Sequence, residues 1–284
     1  MTNIKRILVP TDFSETARTA YEYAIRLAEQ FKASIDVVHI YRPITADIAS
    51  LYPSKETRLV WEKQLQDFVT QSIEKQDIKG DIVLRRVHVN AELISGFVGE
   101  TIVELSKKDY DLVVVGSTGG GVFSEIVFDS VTTDVAQNAY CPVLVVPPNS
   151  TFTKVKRLVY ACDFKHKSFK HPALIADVAE FFKAKIDILY VENYDENRDN
   201  DATDMSDMVA VFNMQTPLLK VTAHVVEEGD VFYGINEFAK KYKSDLVVMI
   251  TKHHTTWEKW FRGSVTKELA MYSDLPLLVL KSDS

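Results

Sequence analysis

The sequence predicts an α/β protein made of two tandem domains, each a five-stranded, parallel, doubly wound sheet. Three observations support this prediction. Short apolar segments typical of buried strands alternate with segments of helical periodicity, the connections between them are short, and the whole series occurs twice along the chain. Alternation of this kind favours a parallel sheet with right-handed crossovers and helices on both faces.

The repeat is visible at four landmarks. The 284 residues suffice for two domains, each able to bury its own core. Residues 4–13 and 31–41 recur at an offset of 151, and residues 111–116 and 141–147 recur at an offset of 134. Four landmarks matched in order indicate an internal duplication. We therefore predict domains at 1–148 and 154–284, joined by a polar, proline-containing linker.

The first half begins with an apolar strand, residues 4–10, which ends in Pro10, Thr11 and Asp12. Ser14 or Asp12 is a good N-cap for the next segment, because alanine and other apolar residues recur there at helical spacing. Residues 34–41 form the second predicted strand. Residues 55–75 show the periodicity of a long amphipathic helix.

The rest of this half is predicted to hold three more strands. Residues 81–89 alternate between apolar and polar side chains, which is typical of a strand, and residues 93–108 have helical spacing. Residues 112–115 are an uninterrupted apolar run, as expected of a strand covered on both faces. A last buried strand is predicted at residues 143–146.

A glycine-rich segment follows the fourth strand, with Gly116, Gly119, Gly120 and Gly121 within six positions. Glycine has no Cβ, so a ligand can approach its backbone closely. Ser130, Val131 and Thr132 open the next helical pattern, and the first N–H groups of a helix are free to hold an anion. The segment is therefore a candidate phosphate site, although a loop that needs glycine only to turn would read the same way.

Two of these elements converge if the sheet has the expected topology. Ligands of doubly wound sheets bind at the carboxyl ends of the strands, where neighbouring crossovers leave in opposite directions. If the first strand lies beside the fourth, Asp12 and Gly116 face the same crevice.

Composition excludes some classes of function. The formal net charge of −7 gives no reason to expect a nucleic acid partner, since that affinity rests on Lys and Arg. No apolar stretch is long enough for a membrane span, and the N-terminus lacks a signal-peptide pattern. Cys141 and Cys162 are expected to be free thiols. We expect a cytoplasmic protein with no membrane association.

The residues resemble the universal stress protein family in its tandem two-domain form, over essentially the whole chain. The resemblance is carried by VPTDFSETA at residues 9–17, and by G-x-x-G at residues 116–119, S-V-T-x-x-V after ten intervening residues, and then CPVLVVP. It implies two flavodoxin-like (adenine nucleotide alpha hydrolase-like) domains with strand order 3-2-1-4-5. It also implies that residues 143–146 and 277–280 pair across an intramolecular pseudo-dimer, with a homodimer of chains as a further option.

One branch of this family binds ATP. The resemblance therefore implies a site for ATP or another adenine nucleotide, with or without Mg²⁺, in the first half. Asp12 would accept hydrogen bonds from the ribose or adenosine, with Pro10 and Thr11 beside it. Ile40 would form a wall for the adenine, and Val115 would contribute backbone contacts.

The phosphate end of the implied site lies in the glycine-rich segment. There the resemblance implies that Gly116 and Gly119 admit the phosphates. Backbone N–H and hydroxyl groups would then bind them, from Ser130, Val131 and Thr132.

Asp129 stands where the family's ATP motif has its third glycine. A carboxylate about 5 Å from a phosphate oxygen costs roughly 3 kcal/mol per charge pair at an effective dielectric constant of 20. Asp129 is also a good N-cap and could occupy the N–H groups that a phosphate needs. Two interpretations stay open: a nucleotide site weakened by Asp129, and a site in which Asp129 replaces the ligand.

The second half departs further from the motif. Asp163 and Val191 match Asp12 and Ile40, and residues 263–266 keep the end of the motif. Ile250 and His253, however, replace the two leading glycines, and a β-branched side chain obstructs close backbone approach. We predict that this half does not hold ATP in the manner of the family.

Three other interpretations compete with that of a nucleotide-sensing binding module. A ligand-free interaction protein would use the basic and aromatic residues between Trp257 and Phe261. A slow ATP hydrolase is conceivable, but the glycine-rich segment lacks the lysine that supports efficient turnover, so no catalytic residue is assigned. A metal site is not predicted, because the candidate ligands match no recognised zinc spacing: Cys162, Asp163, His166, His171, His253 and His254.

Overall fold

The computed structural model describes residues 4–42, 53–77, 87–108, 110–117, 128–162, 172–192, 201–252 and 265–282. The chain divides into two compact units, Asn3–Phe152 and Thr153–Ser284. These units are termed the N-terminal half and the C-terminal half. Among the helices of the described part of the chain, none is long and apolar enough to cross a membrane.

Strands and helices alternate throughout the N-terminal half. Its elements are β1 (Arg6–Pro10), α1 (Glu15–Phe31), β2 (Ser34–Tyr41), α2 (Lys55–Asp77), β3 (Val89–Ser95), α3 (Val98–Leu105), β4 (Leu112–Gly116), α4 (Phe128–Asn138) and β5 (Val143–Val146).

The C-terminal half repeats the alternation. Its elements are β6 (Arg157–Ala161), α5 (Pro172–Phe182), β7 (Lys185–Glu192), α6 (Asp201–Gln215), β8 (Val221–Glu227), α7 (Val231–Tyr242), β9 (Leu246–Lys252), α8 (Val265–Tyr272) and β10 (Leu277–Ser282).

The strands within each half are parallel and follow the expected order. The N-terminal half has the order β3-β2-β1-β4-β5, and the C-terminal half has the order β8-β7-β6-β9-β10. Both correspond to 3-2-1-4-5 within their own half. The predicted α/β class with a doubly wound parallel sheet is therefore confirmed.

The strand registers repeat as well as the strands. Arg6 of β1 and Arg157 of β6, which are 151 positions apart, occupy the same register position against β2 and β7. The third strands differ: Val89 and Val221 open them in the same register but are only 132 positions apart. The second copy is thus shorter mainly between its second and third strands.

The third strand of the N-terminal half lies later in the chain than predicted. The predicted bounds of this strand, 81–89, are wrong, because β3 spans Val89–Ser95. The helix predicted at 93–108 is present but shorter, since α3 spans only Val98–Leu105. Residues 78–86 lie outside the described residues. Asparagine, alanine and glutamate within β3 are weak strand formers. Pairing with β2, rather than local propensity, therefore sets the position of this strand.

Helix α1 covers the sheet with an apolar stripe that includes Tyr21, Ala24 and Ile25, each at most 1% exposed. The helix begins after Ser14, whose Oγ accepts a hydrogen bond from the Ala17 N–H at 3.2 Å. Ser14, and not Asp12, is therefore the N-cap.

A carboxylate next to the fourth strand of each half holds the start of the first strand. Asp111 Oδ2 accepts hydrogen bonds from the N–H groups of Lys5 (2.7 Å) and Arg6 (3.0 Å). Asp245 makes the same two bonds at the start of β6, at 2.8 and 3.0 Å. These clasps fix how far the first strand extends beside the fourth, and so they place the carboxyl ends of the two strands together.

The C-terminal half buries an ion pair at the amino ends of its strands. The Asp187 side chain is 1% exposed. It accepts hydrogen bonds from Arg157 Nε, from Thr222 Oγ1 at 2.7 Å and from His224 Nε2 at 3.1 Å. Burial favours the neutral acid, but the three donors together hold the pKa of Asp187 below its usual value. The carboxylate is therefore charged and depends on its partners.

The N-terminal half has a matched but more exposed pair. Arg6 Nη2 donates to Asp36 Oδ2 at 2.7 Å, and the two side chains are 44% and 13% exposed. Because Arg6 is half in water, this pair should contribute much less to stability.

We predict that Arg157→Ala lowers the free energy of unfolding by about 3–5 kcal/mol, since it leaves a buried carboxylate without its cation. The matched control, Arg6→Ala, should cost no more than about 1 kcal/mol. Urea unfolding of both variants measures the difference. Equal losses in the two variants would contradict the proposed role of burial.

Candidate functional site

A cleft opens at the carboxyl ends of β1, β2 and β4, where the sequence predicted a ligand. Its volume is about 140 Å³, and residues at the starts of α1, α3 and α4 complete its lining. The volume is several times the ~30 Å³ that one water occupies in the liquid. The cleft therefore has room for a ring-sized group.

One wall of the cleft is apolar. Aliphatic side chains from strands β2 and β4 and from helices α3 and α4 form it: Val38, Ile40, Val98, Ile102, Val115 and Val131. Ile40 is 7% exposed and Ile102 is 1% exposed. A planar, weakly polar group such as a nucleobase can bury its face against such a wall.

Polar groups of the cleft are concentrated in a hydrogen-bonded turn at the end of β1. Thr11 Oγ1 accepts from the Phe13 N–H at 3.0 Å. Asp12 Oδ1 accepts from the Ser14 N–H at 3.0 Å and from Ser14 Oγ at 2.5 Å. Because Oδ1 is engaged within the turn, Asp12 Oδ2 is the oxygen that can accept a hydrogen bond from a ligand hydroxyl.

Phe13 holds this turn in a strained conformation. Its φ is 68°, a value that costs a residue with a side chain of the order of 1–3 kcal/mol. The ring stacks on His39 with centroids 4.3 Å apart and meets Phe68 edge-on at 6.0 Å. Aromatic packing and the side-chain bonds of the turn together stabilise the strained backbone beside the cleft.

His39 joins the turn to the end of β2. Its Nδ1 lies 2.8 Å from the Thr11 carbonyl oxygen. A carbonyl oxygen only accepts, so Nδ1 carries the proton and Nε2 is the acceptor in the neutral ring. Burial lowers the pKa of His39; the bond to Thr11 and the charge of Asp12 oppose this only in part. The imidazole is therefore neutral at pH 7.

Gly116 is required by packing even without a ligand. A Cβ at this position would lie 2.6 Å from the Thr16 carbonyl oxygen and 2.9 Å from its carbonyl carbon. These are backbone atoms in the first turn of α1, which cannot turn aside as a side chain can. The glycine thus allows α1 to start directly against the end of β4, and the predicted contact with phosphate is not needed to explain it.

The start of α4 differs from the prediction. The helix begins at Phe128, so Asp129 and Ser130 lie in its first turn and Asp129 does not occupy the N-cap position. Helix geometry commits the Thr132 N–H to an intrahelical bond. The Thr132 hydroxyl donates to the Gly116 carbonyl oxygen at 2.9 Å. Both donors expected from Thr132 are therefore used within the protein.

The cleft brings together most of the residues that the sequence predicted for the site. Those that line it are Pro10, Thr11, Asp12, Ile40, Val115, Gly116, Val131 and Thr132. Gly119 lies outside the described residues, and only the backbone positions of Asp129 and Ser130 are described, within α4.

Sequence reasoning missed the rest of the lining, which consists of Thr16, Ala17, Val38, His39, Val98 and Ile102. Thr16 and Ala17 could have been found, because they directly follow the N-cap of α1. Val98 and Ile102 had no usable signal once β3 had been placed too early in the chain.

The C-terminal half keeps the framework of this site and changes part of its lining. The Cys162 N–H donates to the Leu189 carbonyl oxygen at 3.0 Å, as Thr11 does to Val38 at 2.8 Å. Ile250, however, stands where Gly116 allows the approach of α1. Asp163, His253 and residues 263–264 lie outside the described residues.

Other candidate clusters receive no support from the described residues. They contain no group of three or more His, Cys, Asp or Glu side chains able to hold a metal ion. Cys162 is a half-buried thiol whose Sγ donates to the Leu189 carbonyl oxygen at 3.3 Å. The histidines predicted beside it, and the segment from Trp257 to Phe261, lie outside the described ranges.

Comparisons with known proteins match both halves of the chain. The model of the universal stress protein family matches residues 3–147 and 154–281. A universal stress protein of Methanocaldococcus jannaschii is 30% identical over 145 residues, which are 50% of this chain and 81% of that protein.

Solved structures share the fold. The crystal structure of a universal stress protein from Archaeoglobus fulgidus covers 100% of this chain and 98% of its own, with a TM-score of 0.74 and 18% identity. Another structure from A. fulgidus, a universal stress protein in complex with dAMP, matches 45% of this chain and 100% of its own, with 16% identity and a TM-score of 0.35.

We predict that His39 titrates below its ordinary pKa of 6.5. The unfolded chain then binds the proton more readily than the folded chain. The stability that His39 contributes is therefore present above pH 6.5 and is lost as the pH falls towards the folded-state pKa. NMR of the imidazole carbons gives the midpoint.

His39→Gln is the control, because its amide can still donate to the Thr11 carbonyl oxygen but does not titrate. Its stability should fall less steeply than that of the parent protein between pH 7 and pH 5. Identical pH dependence in the two proteins would contradict the assignment.

Proposed function

Because the chain belongs to the universal stress protein family and its N-terminal half forms this cleft, we propose that it binds an adenine nucleotide there and acts as a nucleotide-sensing module. The observation that carries the proposal is the convergence of an apolar wall, a carboxylate oxygen that makes no hydrogen bond to the described residues, and a close backbone approach in one cleft. Three separate strand ends supply these features, as expected of a ligand site in a doubly wound sheet.

The nucleoside fits the described chemistry best. The adenine ring would lie against Ile40, Val98 and Ile102, which all line the cleft. The ribose hydroxyls would donate to Asp12 Oδ2, since Oδ1 is engaged by Ser14. A hydrogen bond to a charged acceptor contributes about 1.5–3 kcal/mol, so Asp12 would be a main source of affinity.

His39 and Phe13 act as positioning residues in this proposal. Neither needs to touch the ligand, because they hold the turn that carries Asp12. A preorganised carboxylate loses little conformational freedom when a ligand binds.

The C-terminal half serves as a structural partner rather than a second nucleotide site. Ile250 occupies the position of Gly116, and Tyr190 occupies the position of His39 in the matching strand. Tyr190 is 4% exposed. These two exchanges remove the glycine that lets a helix approach the end of the fourth strand, and the imidazole that holds the turn after the first strand.

Efficient catalysis is not part of the proposal. Nucleotide hydrolysis needs a positioned base together with cationic or metal charge that stabilises the phosphates. Asp12 is a candidate base, but the described residues that line the cleft include no lysine or arginine. Hydrolysis would be slow, and occupancy of the cleft by the nucleotide would be the signal.

We predict that Val98→Trp weakens binding of AMP about tenfold or more, because the indole fills the space expected for adenine. Val231→Trp is the matched control, since Val231 opens α7 as Val98 opens α3 and both are half-buried. Isothermal titration calorimetry measures the dissociation constants, and circular dichroism checks that both variants are folded. Equal weakening in the two variants, or none in Val98→Trp, would contradict the proposed placement.

A further inference from the structure

We infer that the cleft recognises the nucleoside end of its ligand and discriminates against added phosphate charge, so that adenosine and AMP bind more tightly than ATP. This inference rests on the proposed function and specifies the class of ligand. It follows from the charges around the cleft and from the donors that are already in use there.

The charge inside the cleft is negative. Among the described residues that line it, Asp12 carries the formal charge, and His39 is neutral at pH 7 because its pKa is lowered by burial. A ribose gains from a carboxylate that accepts its hydroxyl protons. A polyphosphate gains nothing from it and is repelled.

The sequence around the start of α4 carries charge of the same sign. The charged residues between positions 117 and 138 are all acidic: Glu125, Asp129 and Asp134. Asp129 belongs to the first turn of α4, the turn whose N–H groups a phosphate would need. Charge repulsion there acts on the phosphates and not on the nucleoside.

Two neutral donors among the described residues that could offset this repulsion are occupied. The Thr132 hydroxyl donates to the Gly116 carbonyl oxygen at 2.9 Å. At the end of β1, the Thr11 N–H donates to the Val38 carbonyl oxygen at 2.8 Å. A phosphate would have to break such bonds, whereas a nucleobase and a ribose would leave them intact.

The cations on neighbouring elements are directed at other groups. The Arg18 guanidinium lies 4.6 Å from the centre of the Phe68 ring and donates to Ser72 Oγ at 3.0 Å. The Arg42 guanidinium lies 5.9 Å from the centre of the Phe97 ring. Neither arginine is part of the cleft lining, so neither neutralises a triphosphate bound there.

The test compares adenosine, AMP, ADP and ATP in a buffer with EDTA, using calorimetry on the full chain. Affinity should fall as phosphates are added, with ATP at least about tenfold weaker than AMP. Raising the salt concentration should bring the affinities for AMP and ATP closer together, because screening weakens the charge repulsion but hardly affects the buried contacts of the nucleoside. ATP binding as tightly as AMP, or more tightly, would overturn the inference while leaving the proposed function intact. Failure of all four ligands to bind would overturn both.

A pair of charge variants tests the source of the discrimination. Asp129→Asn should bring the affinity for ATP closer to that for AMP. Asp134→Asn removes the same charge about one turn later in α4, where the Asp134 Oδ1 accepts a hydrogen bond from Asn138 Nδ2 at 2.6 Å. This variant should change the ratio of the AMP and ATP affinities less. A larger effect in Asp134→Asn would overturn the placement of the phosphates at the start of α4.

Discussion

The close approach of helix α1 to the end of strand β4 is the constraint on which the rest of the site depends. Only a residue without a Cβ fits at position 116, because a Cβ would lie 2.6 Å from the Thr16 carbonyl oxygen. The Asp111 clasp on Lys5 and Arg6 sets the register that brings these elements together. The cleft is the space left between the end of β4, the turn after β1 and the start of α3.

Comparison of the two halves shows that the strand arrangement does not depend on the residues that line the cleft. Strand order and the registers of the first, second and fourth strands recur in the C-terminal half. Two of the residues that define the cleft do not recur, since Ile250 replaces Gly116 and Tyr190 replaces His39. The duplicated framework needs buried strands and an aspartate clasp, whereas the cleft needs a few particular side chains. One half can therefore exchange residues of the cleft and keep the fold.

Sequence patterns predicted the elements whose position is set by burial of apolar side chains. They did not predict features whose position is set by strand pairing or by individual side-chain contacts. The uninterrupted apolar run of β4 and the repeated landmarks predicted the sheet. Strand β3 was misplaced because its partially exposed residues carry little local signal and β2 determines its position. Asp12 and Gly116 could be placed in one crevice from topology alone. The use of the Thr132 hydroxyl by Gly116, and the bond from His39 to Thr11, depend on side-chain geometry that no spacing reveals.

Methyl-resolved NMR during a titration with AMP tests the central claim most directly, because it reports where the ligand lies. The account predicts saturable shifts in the methyl groups of Ile40, Val98 and Ile102, with the matching Val191 and Val231 unchanged. Shifts centred on the C-terminal half, or no saturable shift in either half, would contradict it.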